Sequence, residues 1–260
     1  MARTIAIISG KGGVGKTTTA INLGCALKHF EKDVTIVDAN VTTPNIGLHL
    51  GAPITPITIH DVLKGKKHIK AALYKHHSGT KVIPGSIAYK DARKVPIARL
   101  SAVLKGLDKT TEFILLDSAA GLGNEAMSAL KSAEEIIIIA NPEIPSVTDA
   151  LRTIKIAKEE NKKILGVVVT KTNPKNPNLS VKDVEAILET PVIGIIPEDR
   201  AIKNALSQKD SVLFTDPKSA SAIQYKKLAA EILGIQYSEK IKYVDEGFIH
   251  KFLVWFGLRD

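Results

Sequence analysis

Short apolar runs recur along the chain at 4–9, 34–38, 81–84, 113–117, 136–140, 165–170 and 192–196. They are rich in isoleucine and valine and mostly continuous rather than alternating with polar residues. Strands buried on both faces read this way, because a parallel sheet covered by helices leaves neither face to water. Between the runs, helical patterns fit 17–29, 97–107, 124–131, 147–160, 181–188 and 220–233. Ser180 and Ser146 stand where helix N-caps belong, and Gly234 follows the last helix as a terminating glycine does. This strand–helix alternation predicts one doubly wound α/β domain over 1–234, its sheet mainly parallel and flanked by helices. No internal repeat or low-complexity tract interrupts it. The composition shifts only after Gly234, where 235–246 reads as a linker and 247–260 as a short aromatic tail.

Composition narrows the classes. Hydrophobic residues at 44% and charged residues at 24% are those of a globular chain, which excludes disorder and collagen-like repeats. A single cysteine, Cys25, excludes a disulfide framework and any zinc or iron–sulfur centre that needs several thiolates from one chain. No run of about 18 apolar residues is present for spanning a bilayer. Arg3 leads directly into the first strand without a signal-peptide core, so the expected compartment is the cytoplasm. Lys and Arg total 36 against 27 Asp and Glu, and the resulting +9 favours anionic partners.

The sharpest motif follows the first strand: Gly10-Lys11-Gly12-Gly13-Val14-Gly15-Lys16-Thr17 satisfies G-x-x-x-x-G-K-[ST] between a strand and a helix. Glycines let the backbone curl so that successive N–H groups face phosphate oxygens, and the helix that follows adds its positive end. Lys16 supplies a point charge between the β- and γ-phosphates, and the Thr17 hydroxyl is placed to ligate Mg²⁺. A nucleoside triphosphate is the expected ligand. Lys11 is a second cation where an ordinary phosphate loop needs none. It could neutralise charge developing during phosphoryl transfer, in cis or across a dimer.

Lys11-Gly-Gly-Val-Gly-Lys16-Thr17-Thr18 resembles the deviant Walker A signature of the MinD/ParA ATPases, and the likeness extends over essentially all of 1–234. Val37-Asp38-Ala39-Asn40 with Pro44-Asn45-Ile46-Gly47 looks like the family's switch I, and Leu115 to Gly121 looks like its switch II. Asn141-Pro142-Glu143 and Ile195-Ile196-Pro197-Glu198-Asp199 match further junctions, and the last of these, with the tail, points to MinD within the family. The resemblance implies ATP and Mg²⁺ as cofactors and an ATP-driven homodimer in which Lys11 reaches the partner's nucleotide. It implies that Asp117 holds Mg²⁺ through water, that Asp38 positions the attacking water or the metal's water shell, and that the Gly121 N–H senses the γ-phosphate. It also brings Thr170, Pro197 and Glu198 to the adenine. Two departures stand out. Asn40 replaces the second aspartate usual in MinD proteins, and an amide can orient a water but cannot take its proton, so hydrolysis is expected to be slow or partner-dependent. Thr170-Lys171 stands where many relatives carry Asn-Arg.

In the tail, Phe248, Ile249, Phe252, Trp255 and Phe256 fall on one face of a helix, with Lys251 and Arg259 near its flanks. This resembles the membrane-targeting helix of MinD proteins, and a basic amphipathic helix of this kind lies in the bilayer interface. The implied location is cytoplasmic, peripheral to the inner face of the cell membrane, with an anionic membrane surface and an activator or cargo protein as partners. A plain alternative is that the tail packs back on the domain as a last helix. Between Val62 and Lys90 there are seven lysines and no acidic residue. These suit a solvated surface, anionic lipid or DNA, and the last would make the chain a DNA-bound partition ATPase. His60, His68, His76 and His77 lie in or beside this stretch and read as surface residues rather than metal ligands. An iron–sulfur carrier of the same superfamily would need exposed cysteines, whereas Cys25 reads as a core residue of the first helix.

Overall fold

The protein is described from a computed structural model over residues 2–52, 54–173 and 179–239. Eight strands form one sheet: β1 (Arg3–Ile8), β2 (Val34–Asp38), β3 (Tyr74–Lys75), β4 (Lys81–Ile83), β5 (Phe113–Asp117), β6 (Glu135–Ala140), β7 (Lys163–Thr172) and β8 (Val192–Pro197). Their order is β3-β4-β2-β5-β1-β6-β7-β8. Every pairing is parallel except β3 with β4.

The continuous apolar runs have the predicted cause, since successive side chains leave a strand on opposite faces and both faces are covered. Ile5 and Ile7 of β1 join Leu115, Ile137 and Leu228 in one core. Ala6 and Ile8 join Leu116, Ile138 and Ile154 in the other. Helices Lys16–His29 and Ala220–Leu233 cover the first face, and Asn124–Ser132, Ile144–Glu159 and Val181–Leu188 cover the second. Among the described residues no helix is long and apolar enough to cross a membrane.

Ser180 caps its helix as expected, in a capping box with Asp183. Gly234 ends Ala220–Leu233 at φ 66°, a left-handed conformation that suits glycine. Ser146 is a correction. Its helix starts earlier, at Ile144, with Glu143 at the cap, and Ser146 Oγ instead accepts from the Asn141 N–H at 2.9 Å. Pro145 explains the earlier start, because proline's fixed φ suits the first helical turn. The single helix expected over 97–107 is broken into Ile97–Arg99, Leu100–Leu104 and Lys105–Leu107, of which only the middle piece is α-helical. Helices Arg200–Ser207 and Val212–Thr215 were not anticipated.

His60 is also corrected, being 1% exposed rather than at the surface. Its Nδ1 accepts from the Ser86 N–H at 3.0 Å, so Nε2 carries the proton and donates to the Val41 carbonyl at 2.8 Å. The ring thereby joins helix Ile59–Leu63 to the segment that follows β2. The lysine-rich stretch is not uniformly free either. Lys64 Nζ donates to the Asp91 carbonyl at 2.7 Å, and Lys81 pairs with Asp33 at 2.7 Å.

The first helix is anchored by Asn22. Its Oδ1 accepts from Ser211 Oγ at 2.7 Å and from the Val212 N–H at 2.9 Å, and its Nδ2 donates to the Thr18 carbonyl at 2.7 Å. Removing one partner from a buried network strands the others. Asn22→Ala is expected to cost about 2 kcal/mol, which lowers Tm by roughly 4–8 °C in a domain of this size. Circular dichroism melts check this, and a Tm within about a degree of the parent would discount the anchor.

Candidate nucleotide-binding site

Loops at the carboxyl ends of the central strands enclose a cleft of about 790 Å³, lined by Gly13, Lys16, Thr17, Asn40 and Glu125 among others. Ligands of open α/β sheets bind at this edge, where adjacent loops diverge. Gly13 and Gly15 hold φ values of 76° and 98°, which L side chains rarely adopt. Gly10 is required by proximity, since a Cβ there would lie 2.6 Å from Asp149 Cβ on helix Ile144–Glu159. The loop therefore has the shape its sequence predicts.

Lys16 is 8% exposed, and its Nζ donates to Ser9 Oγ at 2.8 Å. Burial pulls its pKa below the usual lysine value, while the Asp117 carboxylate pushes back. Lys11 is exposed, and its ammonium makes no hydrogen bond or ion pair with any described residue. Thr17 and Thr18 open the helix, partly exposed toward the cleft. Val14 is buried.

Asp38 and Asp117 end neighbouring strands at matched register, and both are essentially inaccessible to solvent. Their surroundings differ. Asp38 accepts backbone N–H bonds from Asn45 at 2.9 Å, Ile46 at 3.1 Å and Asn40 at 3.3 Å. Its carboxylate thus folds the segment after β2, and Asn40 rather than Asp38 reaches the cleft wall. The expected role of Asp38 beside the attacking water is not the one this conformation displays. Burial and the neighbouring Asp117 hold its pKa well above the usual carboxylate range. Asp117 has no hydrogen-bond partner for either buried oxygen, although the Thr17 hydroxyl and Lys16 lie near enough to ease its ionisation. Burial still pushes its pKa up to about 6. An orphaned buried carboxylate beside a threonine hydroxyl is a donor pair of the hard oxygen kind that Mg²⁺ takes, so the residues fit that ion.

Gly121, at φ 79°, donates its N–H to the Ser9 carbonyl at 3.1 Å. The amide expected to sense a γ-phosphate is therefore engaged by the loop itself and must exchange partners to do so. Thr170 braces the loop, with its Oγ1 donating to the Val14 carbonyl at 2.6 Å. Its hydroxyl is thus committed, even though Thr170 lines a smaller cavity of about 270 Å³ with Pro197, Glu198 and Tyr225. The Glu198 N–H donates to the Thr172 carbonyl at 2.9 Å, and its carboxylate faces Lys203 at 3.5 Å. The tail residues Phe248, Ile249, Phe252, Trp255 and Phe256 lie outside the described residues.

Contacts of three residues were not anticipated, although Lys171 and Asp199 stand within the sequence motifs. Lys171 Nζ donates to the Gly13 carbonyl at 2.7 Å. Glu125, opening helix Asn124–Ser132, receives both the N–H (3.3 Å) and the hydroxyl of Thr42, joining that helix to the segment after β2. Asp199 caps helix Arg200–Ser207 through Ala201 N–H at 2.8 Å and grips Ser221 with its other oxygen, N–H at 3.0 Å and Oγ at 2.8 Å. An N-cap aspartate ahead of an amphipathic run was a legible signal.

A phosphate loop on a parallel sheet, with a cation-seeking carboxylate beneath it, defines a P-loop nucleotide-binding protein. Residues 5–212 match the CobQ/CobB/MinD/ParA nucleotide binding domain, and the chain belongs to that family. It is 39% identical over 253 residues to an uncharacterised ATP-binding protein of Methanocaldococcus jannaschii, covering 97% of this chain and 96% of the relative. The cell division ATPase MinD of Pyrococcus furiosus superposes with a TM-score of 0.87 at 35% identity, over 90% of this chain and 99% of that one. The septum site-determining MinD of Pyrococcus horikoshii, solved with Mg-ADP, gives 0.86 at 34%, over 89% and 96%.

The raised pKa of Asp117 has a measurable sign. A carboxyl that holds its proton more tightly when folded gives stability as pH falls and loses it as pH rises through the folded pKa. In nucleotide-free protein, Asp117→Asn should therefore gain stability relative to the parent between pH 5 and pH 7, by about 1 kcal/mol. Denaturant midpoints at the two pH values check this, and equal differences would contradict the burial of an ionising carboxyl.

Proposed function

We propose that this chain is a MinD-like ATPase that couples nucleotide state to residence on a membrane. ATP binds in the cleft with its phosphates in the Gly10–Thr17 loop and its base toward the cavity beside Pro197. Thr17 and Asp117 would hold Mg²⁺, which would supply positive charge to screen the phosphates. The observation that carries the reading is the pair of lysines in one loop: Lys16 buried and aimed inward, Lys11 exposed and without a partner among the described residues. A cation that meets none of the described residues of its own subunit is suited to reach the nucleotide of a second one. Two chains then close face to face, and each Lys11 neutralises charge in the other's site.

Hydrolysis is slow and leans on a partner. Asn40 is tied into a turn, its Nδ2 donating to the Thr43 carbonyl at 2.7 Å and its Oδ1 accepting from the Thr43 N–H at 3.2 Å. Such an amide orients a water without accepting its proton. The 247–260 tail supplies the membrane contact and 235–246 its tether from the 1–234 domain. One short helix binds weakly, whereas two on a single dimer raise avidity by roughly 10²–10⁴. The dimer thus resides on the inner membrane face until hydrolysis separates it, positioning cell division or another polar machine.

Lys11→Ala is expected to keep nucleotide affinity within about threefold while abolishing the ATP-dependent shift on size exclusion. Lys16→Ala should lose at least about 30-fold in affinity, because it leaves buried phosphate charge unpaired. ATP-dependent co-sedimentation with anionic liposomes tests the membrane step. Deleting 247–260 should eliminate it and leave nucleotide binding intact. DNA retardation that survives the deletion, without lipid binding in the parent, would favour a DNA-bound partition ATPase using exposed lysines such as Lys70 and Lys75.

A further inference from the structure

The amino-terminal end of β4 carries a side-chain cluster that the nucleotide chemistry does not use. The turn before β4 is closed by the His76 N–H to the Thr80 carbonyl at 2.9 Å and by the Gly79 N–H to the His76 carbonyl at 2.8 Å. It presents both His76 and His77 to Asp210, which lies in the segment between helices Arg200–Ser207 and Val212–Thr215. His77 Nε2 is 2.8 Å from Asp210 Oδ2 and His76 Nε2 is 3.6 Å from Oδ1. One ligand atom from each residue lies within 4.8 Å of the other two. Because β4 runs parallel to β2, this turn lies at the opposite end of the sheet from the phosphate loop.

We propose that His76, His77 and Asp210 form a binding site for a borderline divalent transition cation, with Zn²⁺ first among them. Two imidazoles and a carboxylate are the donor types this ion takes, and three protein ligands leave a fourth position open to water. Ligand atoms around a tetrahedral Zn²⁺ lie roughly 3.3 Å apart, given bonds of about 2.0–2.1 Å. The two imidazole–carboxylate spacings, 2.8 Å and 3.6 Å, bracket that value, and the ligand atoms of all three residues lie within 4.8 Å of one another, so modest side-chain adjustments complete the shell. His77, with 60% of its side chain exposed, is free to make them.

The surroundings are those of an oriented ligand set rather than a chance ion pair. His76 Nδ1 is 2.9 Å from Ser78 Oγ, which fixes the ring with Nε2 toward Asp210. Outer partners of this kind hold metal-binding histidines in place. Asp210 Oδ1 accepts from the Ser211 N–H at 2.7 Å, and the Phe214 ring packs edge-on to His77 with centroids 5.3 Å apart. A bound cation would staple the β3–β4 turn to the segment whose Ser211 and Val212 grip Asn22 of the first helix.

The test uses full-length, untagged, nucleotide-free protein titrated with Co²⁺ and followed by its visible absorption bands, then back-titrated with Zn²⁺. The expected result is saturation at one ion per chain, displacement by Zn²⁺, and a Zn²⁺-dependent rise in Tm of a few degrees. His77→Ala and Asp210→Asn should each weaken uptake by about tenfold or more and abolish the Tm shift. Unchanged ADP affinity in both variants would show that they are folded. Uptake that fails to saturate, or persists undiminished in both variants, overturns the site and leaves the cluster as an imidazole–carboxylate ion pair.

Discussion

Two carboxylates sit on neighbouring strands with almost no access to water, and the way each is satisfied organises the rest of the site. A buried charge is costly unless hydrogen bonds or an opposite charge compensate it. Asp38 accepts from three backbone N–H groups, which shape the segment that follows β2, while burial and Asp117 hold its pKa well above the usual range. Asp117 has no hydrogen-bond partner for either oxygen, and the nearby Thr17 hydroxyl and Lys16 ease its ionisation. Its remaining route to full satisfaction is a ligand that brings positive charge from outside, and an ion delivered with a phosphate chain does that. Two identical residue types at matched register are thus satisfied in different ways, one by three backbone amides and the other by none.

Ser9 ties the phosphate loop to the segment after β5. Its hydroxyl accepts from Lys16 and donates to the Lys11 carbonyl at 2.6 Å, and its own carbonyl accepts the Gly121 N–H. A single residue at the end of β1 therefore occupies both the ammonium and the amide that a triphosphate would recruit. Each such bond contributes about 1 kcal/mol net, so a nucleotide offering charged oxygens to the same donors outcompetes them. A ligand shifts an equilibrium only through contacts it makes in one state and not the other. The Thr42–Glu125 contact ties the segment after β2 to the start of helix Asn124–Ser132.

The central strands were legible because burial on both faces forces unbroken apolar runs, and those of β5 and β2 fall within their predicted bounds. β3 was not, since two residues carry no period. The same limit applies to 97–107, where apolar spacing continues across a stretch whose backbone changes helix type twice. In the site, the phosphate loop could be read because its constraints are local: backbone angles, a helix end and one lysine. Glu125, Lys171 and His60 were invisible because each acts on a residue at least 19 positions away, by contacts that only the fold creates. Asp38 and Asp117 occupy like positions in the sequence pattern, and only the count of amides around each distinguishes them.

The placement of these groups also divides the molecule by stiffness. The sheet and its two cores rest on the burial of many aliphatic side chains, each worth roughly 1.5–3 kcal/mol, and no small ligand can rearrange that. The segments at the strands' carboxyl ends are held by a handful of polar contacts, whose sum is comparable to what one nucleotide can offer. Bistability is therefore confined to the loops, and the core serves as a fixed frame against which their displacement is measured. Within that frame Lys11 has a particular consequence. Its charge rests against none of the described residues, so reaching outward breaks no contact among them.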